Sequence, residues 1–215
     1  MKQYLLFDLD GTLTDSALGI TNSVKYALRK FGIEETDGAK LRAFVGPPLY
    51  DSFRELYGMS HDDANLAIVY YREYYVSKGL YENTLYEGIR EMLEDLSSQG
   101  RKVILATSKP ERFAREILKN FSLDGYFFKI FGATMDEKLC RKDEIIAVAL
   151  EKAEIVPDDA VMIGDRRYDV EGGRTNRLTT VGVLYGYGDR DELVEANADY
   201  IVSTVFELEK ILEEI

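Results

Sequence analysis

The sequence predicts an α/β fold, in which a doubly wound, Rossmann-like parallel sheet carries an inserted helical domain. Six short runs of apolar and β-branched residues lack the clean alternation of a half-exposed strand, which indicates strands buried on both faces. Amphipathic helical segments separate most of these runs, and alternation of strand and helix is typical of a parallel sheet built from right-handed crossovers. One long stretch, residues 15–81, shows helical periodicity without a convincing strand.

The predicted strands and helices of the α/β part alternate along the chain. Strands are predicted at Tyr4–Phe7, Lys102–Thr107, Phe127–Gly132, Ala160–Ile163, Leu178–Val183 and Asp199–Val202. Helices are predicted at Gly88–Ser98, Pro110–Lys119, Asp143–Ala153, Arg190–Ala196 and Phe206–Ile215. In the first of these helices Ile89, Met92 and Leu93 form one apolar stripe, and Gly100 follows as a helix stop.

Residues 15–81 are predicted to form a helical cap that is inserted after the first strand. Ile20, Val24 and Leu28 share one helix face, and Gly32 follows as a C-terminal stop. Further helices are predicted at Gly38–Phe44, Leu49–Tyr57 and Asp62–Lys78, with a Gly-Pro-Pro break at residues 46–48. The sequence therefore predicts a core domain of residues 1–14 and 82–215 and a cap domain of residues 15–81 over the site.

The composition indicates a cytoplasmic protein without a nucleic-acid or membrane partner. The formal net charge is −12 over 215 residues, which argues against polyanionic partners. The single cysteine, Cys140, cannot form an intramolecular disulfide, and this fits a reducing compartment. Carboxylates interrupt the first apolar stretch after a few residues, so we expect neither a signal peptide nor a membrane span there. The sequence leaves the oligomeric state open.

Two aspartates at the end of the first predicted strand are the strongest chemical signal. Asp8 and Asp10 are two residues apart, so their side chains project to the same side of an extended chain. A solvated turn is one interpretation. A calcium loop of the EF-hand type is disfavoured, because a strand leads in and Gly11 comes too early. The third interpretation is a magnesium-assisted nucleophile paired with a general acid/base.

A second pair of carboxylates follows the fourth predicted strand. Asp165 and Asp169 are four residues apart in the stretch "GDRRYD". Ligands of open α/β sheets bind beyond the carboxyl ends of the strands, so these acids converge with Asp8 if the two strands are neighbours. Mg²⁺ prefers such oxygen ligands. Alternatively, Asp165 is a helix N-cap and Asp169 a first-turn acid.

Hydroxyl and lysine side chains complete the predicted edge. Thr107, Ser108 and Lys109 end the second strand, where a hydroxyl and backbone N–H groups can hold a phosphate at a helix N-terminus. Plain helix capping explains the same residues. Lys142 precedes an apolar helix and is a candidate counter-charge for a phosphoryl group, although a single lysine is usually solvated.

Four motifs resemble those of the haloacid dehalogenase superfamily. They are "DLDGTLTDS", "TSK", "RKDEII" and "GDRRYDVEGGRTN", in that order, and the resemblance covers nearly the whole chain. The stretch "GDRRYDVEGGRTNRLTTVGVLYGYG" is further similar to the phosphoglycolate phosphatase-like branch, which has an α-helical cap after the first motif.

This resemblance implies roles for the four carboxylates and one lysine. Asp8 is expected to be the nucleophile that forms an aspartyl-phosphate, and Asp10 the general acid/base, with its backbone carbonyl as a metal ligand. Lys142 is expected to neutralise charge. Asp165 is expected to bind Mg²⁺, and Asp169 to be a further ligand or an acid behind the ligands.

The resemblance also implies a phosphate-binding set. Its members are Gly11, Thr12, Thr107, Ser108 and Lys142, and Thr12 is also expected to help orient the acid. The third motif reads "LCRKDEI", so Lys138 competes with Lys142 for the lysine position. Lys142 is favoured because it immediately precedes the acidic turn and the apolar helix.

The predicted function is a Mg²⁺-dependent phosphomonoesterase, similar to phosphoglycolate phosphatase, that acts through an aspartyl-phosphate on a small phosphorylated metabolite. The alternatives on the same scaffold are a phosphomutase of the β-phosphoglucomutase type and a 5'-nucleotidase or pyrophosphatase. A dehalogenase is disfavoured, because that chemistry does not need Asp10 or the metal. A silent binding module would show damage at a motif position, and none is damaged.

Substrate choice is expected to lie in residues 15–81, with Arg42, Arg54 and Arg72 as candidates to bind a second anionic group.

Overall fold

The computed structural model describes residues 1–136 and 138–215, which divide into two compact units. One unit comprises residues 1–14 and 85–215, and the other comprises residues 15–84. The sequence predicted that the core domain resumes at residue 82, whereas in the structure the first unit resumes at residue 85. Within the described residues, no helix has both the length and the apolar character that a bilayer crossing requires.

The first unit contains a six-stranded parallel sheet, which confirms the predicted fold class. The strand order is β5-β4-β1-β6-β7-β8. These strands are β1 (Tyr4–Phe7), β4 (Lys102–Pro110), β5 (Phe127–Ala133), β6 (Ala160–Gly164), β7 (Thr179–Val183) and β8 (Tyr200–Val202). The order makes β1 the neighbour of both β4 and β6, so the three predicted chemical segments leave the sheet side by side.

Helices cover the sheet in the order that the sequence predicted, with one addition. They are α5 (Ile89–Ser98), α6 (Glu111–Asn120), α7 (Lys142–Lys152), α8 (Arg167–Thr175), α9 (Arg190–Glu195) and α10 (Val205–Glu214). Helix α8 was not predicted as an element. Short 3₁₀ turns precede two strands, at Asp124–Tyr126 and Pro157–Asp159.

The core beneath the site is formed by alternate strand residues and one face of α7. Leu6, Ile104 and Met162 lie in one buried cluster with Ile145 and Ile146 of α7. Leu6 is the register partner of Ile104 in β4 and of Met162 in β6, so these three residues lie side by side across the sheet. This packing holds the first turn of α7, and therefore Lys142, against the sheet.

The second unit consists of helices, as the sequence predicted for this stretch. They are α1 (Ala17–Lys30), α2 (Gly38–Arg42), α3 (Leu49–Tyr57) and α4 (His61–Tyr74), followed by a π-helical turn (Tyr75–Gly79). The predicted helix Asp62–Lys78 is therefore two elements. Gly79 approaches α1 so closely that a Cβ on it would lie 2.8 Å from the Gly19 carbonyl oxygen, which favours the wider turn at this point.

Two short strands were not expected near the ends of this stretch. They are β2 (Thr14–Asp15) and β3 (Thr84–Leu85), which pair with each other. Two-residue strands carry too few side chains for a periodic signal, so hydrophobic patterning cannot reveal them.

The tyrosine-rich stretch at residues 70–75 packs inside this unit, in line with the core packing favoured from the sequence. The rings of Tyr71 and Tyr75 are stacked with centroids 5.4 Å apart, and both side chains are buried. Tyr26 and Tyr74 form a second ring pair at 5.6 Å.

Candidate active site

Backbone hydrogen bonds fix the segment that carries the first acid pair. The N–H of Asp8 donates to the Ile163 carbonyl (2.9 Å), which extends the pairing of β1 with β6 by one residue. A tight turn follows, in which Gly11 donates to the Thr14 carbonyl (2.8 Å) with a φ of +84°. Asp8 therefore sits at the end of the central strand, and Asp10 sits at the start of the turn.

Lys142 joins two of the carboxylates. Its Nζ lies 2.8 Å from Asp8 Oδ1 and 2.8 Å from Asp169 Oδ1, and it donates to the Ala106 carbonyl at 3.0 Å. Burial acts to lower the pKa of Lys142, but attraction to Asp169 and Asp8 outweighs it and raises the pKa. Lys142 is therefore a permanent cation at physiological pH.

The competing lysine lies elsewhere. Lys138 forms an ion pair with Asp136 (3.1 Å), and its side chain is 85% exposed. Of the two lysines that the third motif left open, Lys142 is the one in contact with the carboxylates.

Asp8, Asp165 and Asp169 form a compact cluster. One carboxylate oxygen from each lies within 4.8 Å of the others. The Arg166 N–H donates to Asp169 Oδ2 (3.1 Å), and Arg166 is the N-cap residue of α8. The alternative in which Asp165 caps the helix is therefore wrong, because the chain runs one residue further before the helix begins.

Asp165 is completely buried and held from two directions. Its Oδ2 accepts from the Tyr187 N–H (2.8 Å), and its Oδ1 accepts from the Thr12 hydroxyl (3.4 Å). A Cβ on Gly11 or on Gly186 would overlap the carboxylate of Asp165. The loop after β7 therefore surrounds the carboxylate of Asp165. The sequence indicated this role of the loop only through the "YGYG" stretch in the family resemblance.

The electrostatics of the cluster favour a divalent cation. Burial, together with the charges of Asp169 and Asp8, raises the pKa of Asp165 well above its usual value. Burial and the charge of Asp8 likewise raise the pKa of Asp169 to about 6, against the opposing effect of Lys142. The Oδ1 atoms of Asp8 and Asp169 are buried and share one ammonium group, that of Lys142, so the cluster carries more carboxylates than cations in contact with it. Oxygen ligands in this state suit a hard cation such as Mg²⁺.

The end of β4 supplies hydroxyls and a second lysine. Thr107 is buried, and its Oγ1 accepts from the Lys109 N–H (3.2 Å). Ser108 is half-buried between them. Lys109 Nζ lies 2.5 Å from Asp10 Oδ2, a contact that the sequence did not predict. The expected phosphate-binding residues and the four carboxylates therefore do meet at one edge of the sheet.

Thr12, which was expected to help orient the acid Asp10, contacts two residues of other segments. Its hydroxyl contacts Asp165, and its carbonyl accepts from the Tyr185 hydroxyl (3.1 Å). The Tyr185 ring packs edge-on against Tyr86, with centroids 5.1 Å apart. Thr12 therefore links the turn after β1 to the loop after β7.

This arrangement can perform a specific kind of chemistry. A carboxylate beside a fixed ammonium group can attack an electrophile at the open edge of the sheet, and clustered carboxylates can hold a cation that an anionic substrate needs. These features fit a hydrolase that uses a carboxylate nucleophile.

Comparison with known families confirms this class. The profile described as "Haloacid dehalogenase-like hydrolase" matches residues 5–183. The chain belongs to this family, and the resemblance inferred from its four motifs is confirmed.

Similar proteins include several named phosphatases. A solved structure of a predicted phosphatase from Clostridium acetobutylicum superposes with a TM-score of 0.96 at 49% identity, over 100% of both chains. A 5'-nucleotidase of Pseudomonas aeruginosa is 42% identical over 97% of this chain and 95% of its own length. A phosphoglycolate phosphatase of Aquifex aeolicus is 30% identical over 97% and 96%. This chain is therefore a phosphatase of the family.

One similar protein has a different name. The tyrosine-protein kinase PtkA of Mycobacterium tuberculosis is 37% identical over 98% of this chain and 72% of its own length.

Proposed function

We propose that this protein is a Mg²⁺-dependent phosphomonoesterase that acts on a small phosphorylated metabolite through an aspartyl-phosphate at Asp8. The observation that carries the proposal is the contact of Lys142 with Asp8 and Asp169, 2.8 Å from each, beside the buried Asp165. A structural ion pair needs one carboxylate for one lysine. Lys142 contacts two of the three clustered carboxylates, so the cluster has room for a further cation to offset the remaining negative charge.

The chain's residues divide the reaction between them. An Asp8 oxygen attacks phosphorus, and the bond from phosphorus to the ester oxygen breaks. Asp10 donates a proton to the departing oxygen, then accepts one from the water that attacks the aspartyl-phosphate and returns Asp8 to its free state. Lys142 remains protonated and offsets the charge next to Asp8 in both steps.

The metal ligands in this proposal are Asp8, Asp165, Asp169 and the backbone carbonyl of Asp10. When bound, Mg²⁺ supplies positive charge that reduces repulsion between the carboxylate nucleophile and the phosphoryl oxygens. Lys142, the first residue of α7, supplies a further positive charge that reduces the same repulsion.

The phosphate-binding residues in this proposal are Gly11, Thr12, Thr107, Ser108 and Lys142. Phosphoryl transfer depends on positioning of the phosphoryl group and on neutralisation of its oxygens more than on covalent chemistry by other groups. The hydroxyls of Thr107 and Ser108 suit that task, because pairing with β1 fixes the end of β4. The Gly11 N–H donates to the Thr14 carbonyl and the Thr12 hydroxyl to Asp165, so these two residues contribute the turn that adjoins the phosphate.

A nucleoside 5'-monophosphate is the first substrate class to test. The similarity to a 5'-nucleotidase, at 42% identity over nearly the full length of both chains, supports it. Phosphoglycolate is the second candidate and has the support of the 30% identical phosphatase. We assign the choice between them to the inserted residues 15–84, with Arg42, Arg54 and Arg72 as the cationic candidates.

The experiment measures phosphate release from a panel of esters with and without Mg²⁺. The panel contains nucleoside 5'-monophosphates, phosphoglycolate, sugar phosphates and pyrophosphate, compared by kcat/KM. We expect Mg²⁺-dependent release that EDTA abolishes. Formation of a sugar phosphate isomer in place of free phosphate would instead identify a phosphomutase.

Asp8→Asn tests the nucleophile. We expect this variant to fold with the wild-type circular dichroism spectrum and to lose more than about a thousandfold in kcat, because the amide cannot form the phosphoenzyme. Acid quenching of the wild type with a ³²P-labelled substrate is expected to trap one labelled aspartate. Retention of activity in Asp8→Asn would overturn the assignment.

A further inference from the structure

A second buried lysine contacts the acid pair and has no role in the reaction described above. Lys109 Nζ lies 2.5 Å from Asp10 Oδ2, and the two side chains are 6% and 15% exposed. Burial of an ammonium group is costly unless a carboxylate compensates it, so this pair is a specific element of the site. Lys142 contacts Asp8 and Asp169, whereas Lys109 contacts Asp10.

The backbone of Lys109 is held firmly at the end of β4. Its N–H donates to Thr107 Oγ1 at 3.2 Å. On the neighbouring strand β5, a Cβ on Gly132 would lie 2.7 Å from the Lys109 carbonyl oxygen, so the two backbones are in close contact. The Lys109 side chain is buried as well, so its ammonium group has little freedom to move away from Asp10 Oδ2.

The two oxygens of Asp10 are consequently in different states. Oδ2 is paired with Lys109, while Oδ1 is buried and accepts no hydrogen bond from the described residues. A carboxylate with one oxygen held by a cation presents the other oxygen in a defined orientation. That is what a general acid/base requires, since proton transfer depends first on geometry.

We propose that Lys109 is a positioning residue that holds Asp10 by Oδ2 so that Oδ1 carries the proton in both steps of the reaction. This inference rests on the proposed phosphomonoesterase function. In the first step the proton passes from Asp10 Oδ1 to the ester oxygen as its bond to phosphorus breaks. In the second step a water proton passes to Asp10 Oδ1 as the water oxygen bonds to phosphorus and the bond to Asp8 breaks. Lys109 itself exchanges no proton.

The test compares two substrates that differ in their need for a proton. p-Nitrophenyl phosphate expels a weakly basic phenolate without protonation, whereas an alkyl phosphate expels a strongly basic alkoxide. For Lys109→Met we expect kcat/KM to fall roughly 10- to 100-fold with the alkyl ester and by less than about threefold with p-nitrophenyl phosphate. Hydrolysis of the phosphoenzyme also slows, so a burst of p-nitrophenolate is expected in stopped-flow measurements.

Four further variants complete the design. Lys109→Arg is expected to restore part of the lost activity toward the alkyl ester, because it keeps the charge. Lys109→Met in an Asp10→Asn background is expected to change kcat by less than about twofold, since Lys109 acts through Asp10. Lys138→Met removes one exposed lysine charge and is the matched control, with wild-type activity expected. Lys109→Gln replaces Lys109→Met if the latter does not fold.

The outcomes separate the inference from the proposed function. An equal loss of kcat/KM with both substrates would show that Lys109 binds the phosphoryl group, and it would overturn the inference, as would unchanged kinetics in Lys109→Met. If the wild type is inactive, or if Asp8→Asn is active, the proposed function fails instead, and that result is obtained without any Lys109 variant.

Discussion

Individual residues around Asp165 show how tightly the site is built. The Tyr187 N–H and the Thr12 hydroxyl occupy its two oxygens, and glycines lie where any side chain would collide with it. Gly11 additionally has a left-handed backbone conformation, which glycine adopts without cost. The glycine that follows Asp10 is therefore required by the buried acid after the neighbouring strand β6, as well as by the turn itself.

Replacement of Gly11 by alanine tests this requirement. We expect Gly11→Ala to lose about 1–2 kcal/mol of stability from the left-handed backbone and, in addition, most of its activity, because the methyl group displaces Asp165. Gly100→Ala is the matched control, since Gly100 has a φ of +73° but no heavy atom within 4 Å of the added Cβ. Thermal melts and kcat should show a loss of stability in both variants and a loss of activity in Gly11→Ala alone.

At the scale of elements, the contact between α7 and α8 sets the distance between Lys142 and Asp169. A Cβ on Gly172 would lie 3.0 Å from Lys142 Cγ and 3.2 Å from Ile146 Cδ1. The Asn176 amide donates to the Asp143 carbonyl in the first turn of α7 (2.9 Å). The first turn of α7 is therefore held against the C-terminal half of α8 by residues that do not touch the cluster.

Gly172→Val tests the importance of this helix contact. The larger side chain is expected to push α7 away, to cost about 1–3 kcal/mol through overpacking and to reduce kcat by moving Lys142. Gly125→Val is the control, because nothing lies within 4 Å of a Cβ on Gly125. Wild-type activity in Gly172→Val at a temperature where it is fully folded would show that the spacing of α7 and α8 is not critical.

Elements with periodic sequences were predicted best. The bounds of β1 were predicted correctly, and those of α5, α6 and α7 differ from the prediction by at most one residue at each end. Helix α8 escaped prediction because "EGGRT" contains two adjacent glycines, which disfavour a helix interior. Tertiary packing overrides that propensity, since Gly172 contacts α7 while a Cβ on Gly173 would lie 2.7 Å from Thr180 Cγ2.

For the whole molecule, the buried acids make metal binding and stability interdependent. The pKa of Asp169 in the folded state is about 6, above its usual value of 3.8. Between these values the folded protein binds more protons than the unfolded chain, so the stability contributed by this group falls as the pH rises toward 6. A cation that binds the ionised carboxylates opposes this loss.

The stabilising effect of Mg²⁺ is therefore expected to depend on pH. At a concentration tenfold above its Kd, Mg²⁺ should add about 1.4 kcal/mol, and the increase in Tm should be larger at pH 7.5 than at pH 5 because protons compete for the same oxygens. Differential scanning calorimetry with KCl at matched ionic strength provides the control. An equal increase at both pH values, or none in the wild type, would contradict a metal site at Asp8, Asp165 and Asp169.

The sequence by itself determined the fold class, the haloacid dehalogenase-like family and the two acid pairs at the end of the sheet. It could do so because strand periodicity is a local property of the chain, as is the spacing within each acid pair, Asp8 with Asp10 and Asp165 with Asp169. Only the tertiary structure decided which carboxylate each lysine contacts. Lys109 is 99 residues from Asp10 and Lys142 is far from Asp8 along the chain, so their pairing depends on strand order and helix packing, which no local pattern records.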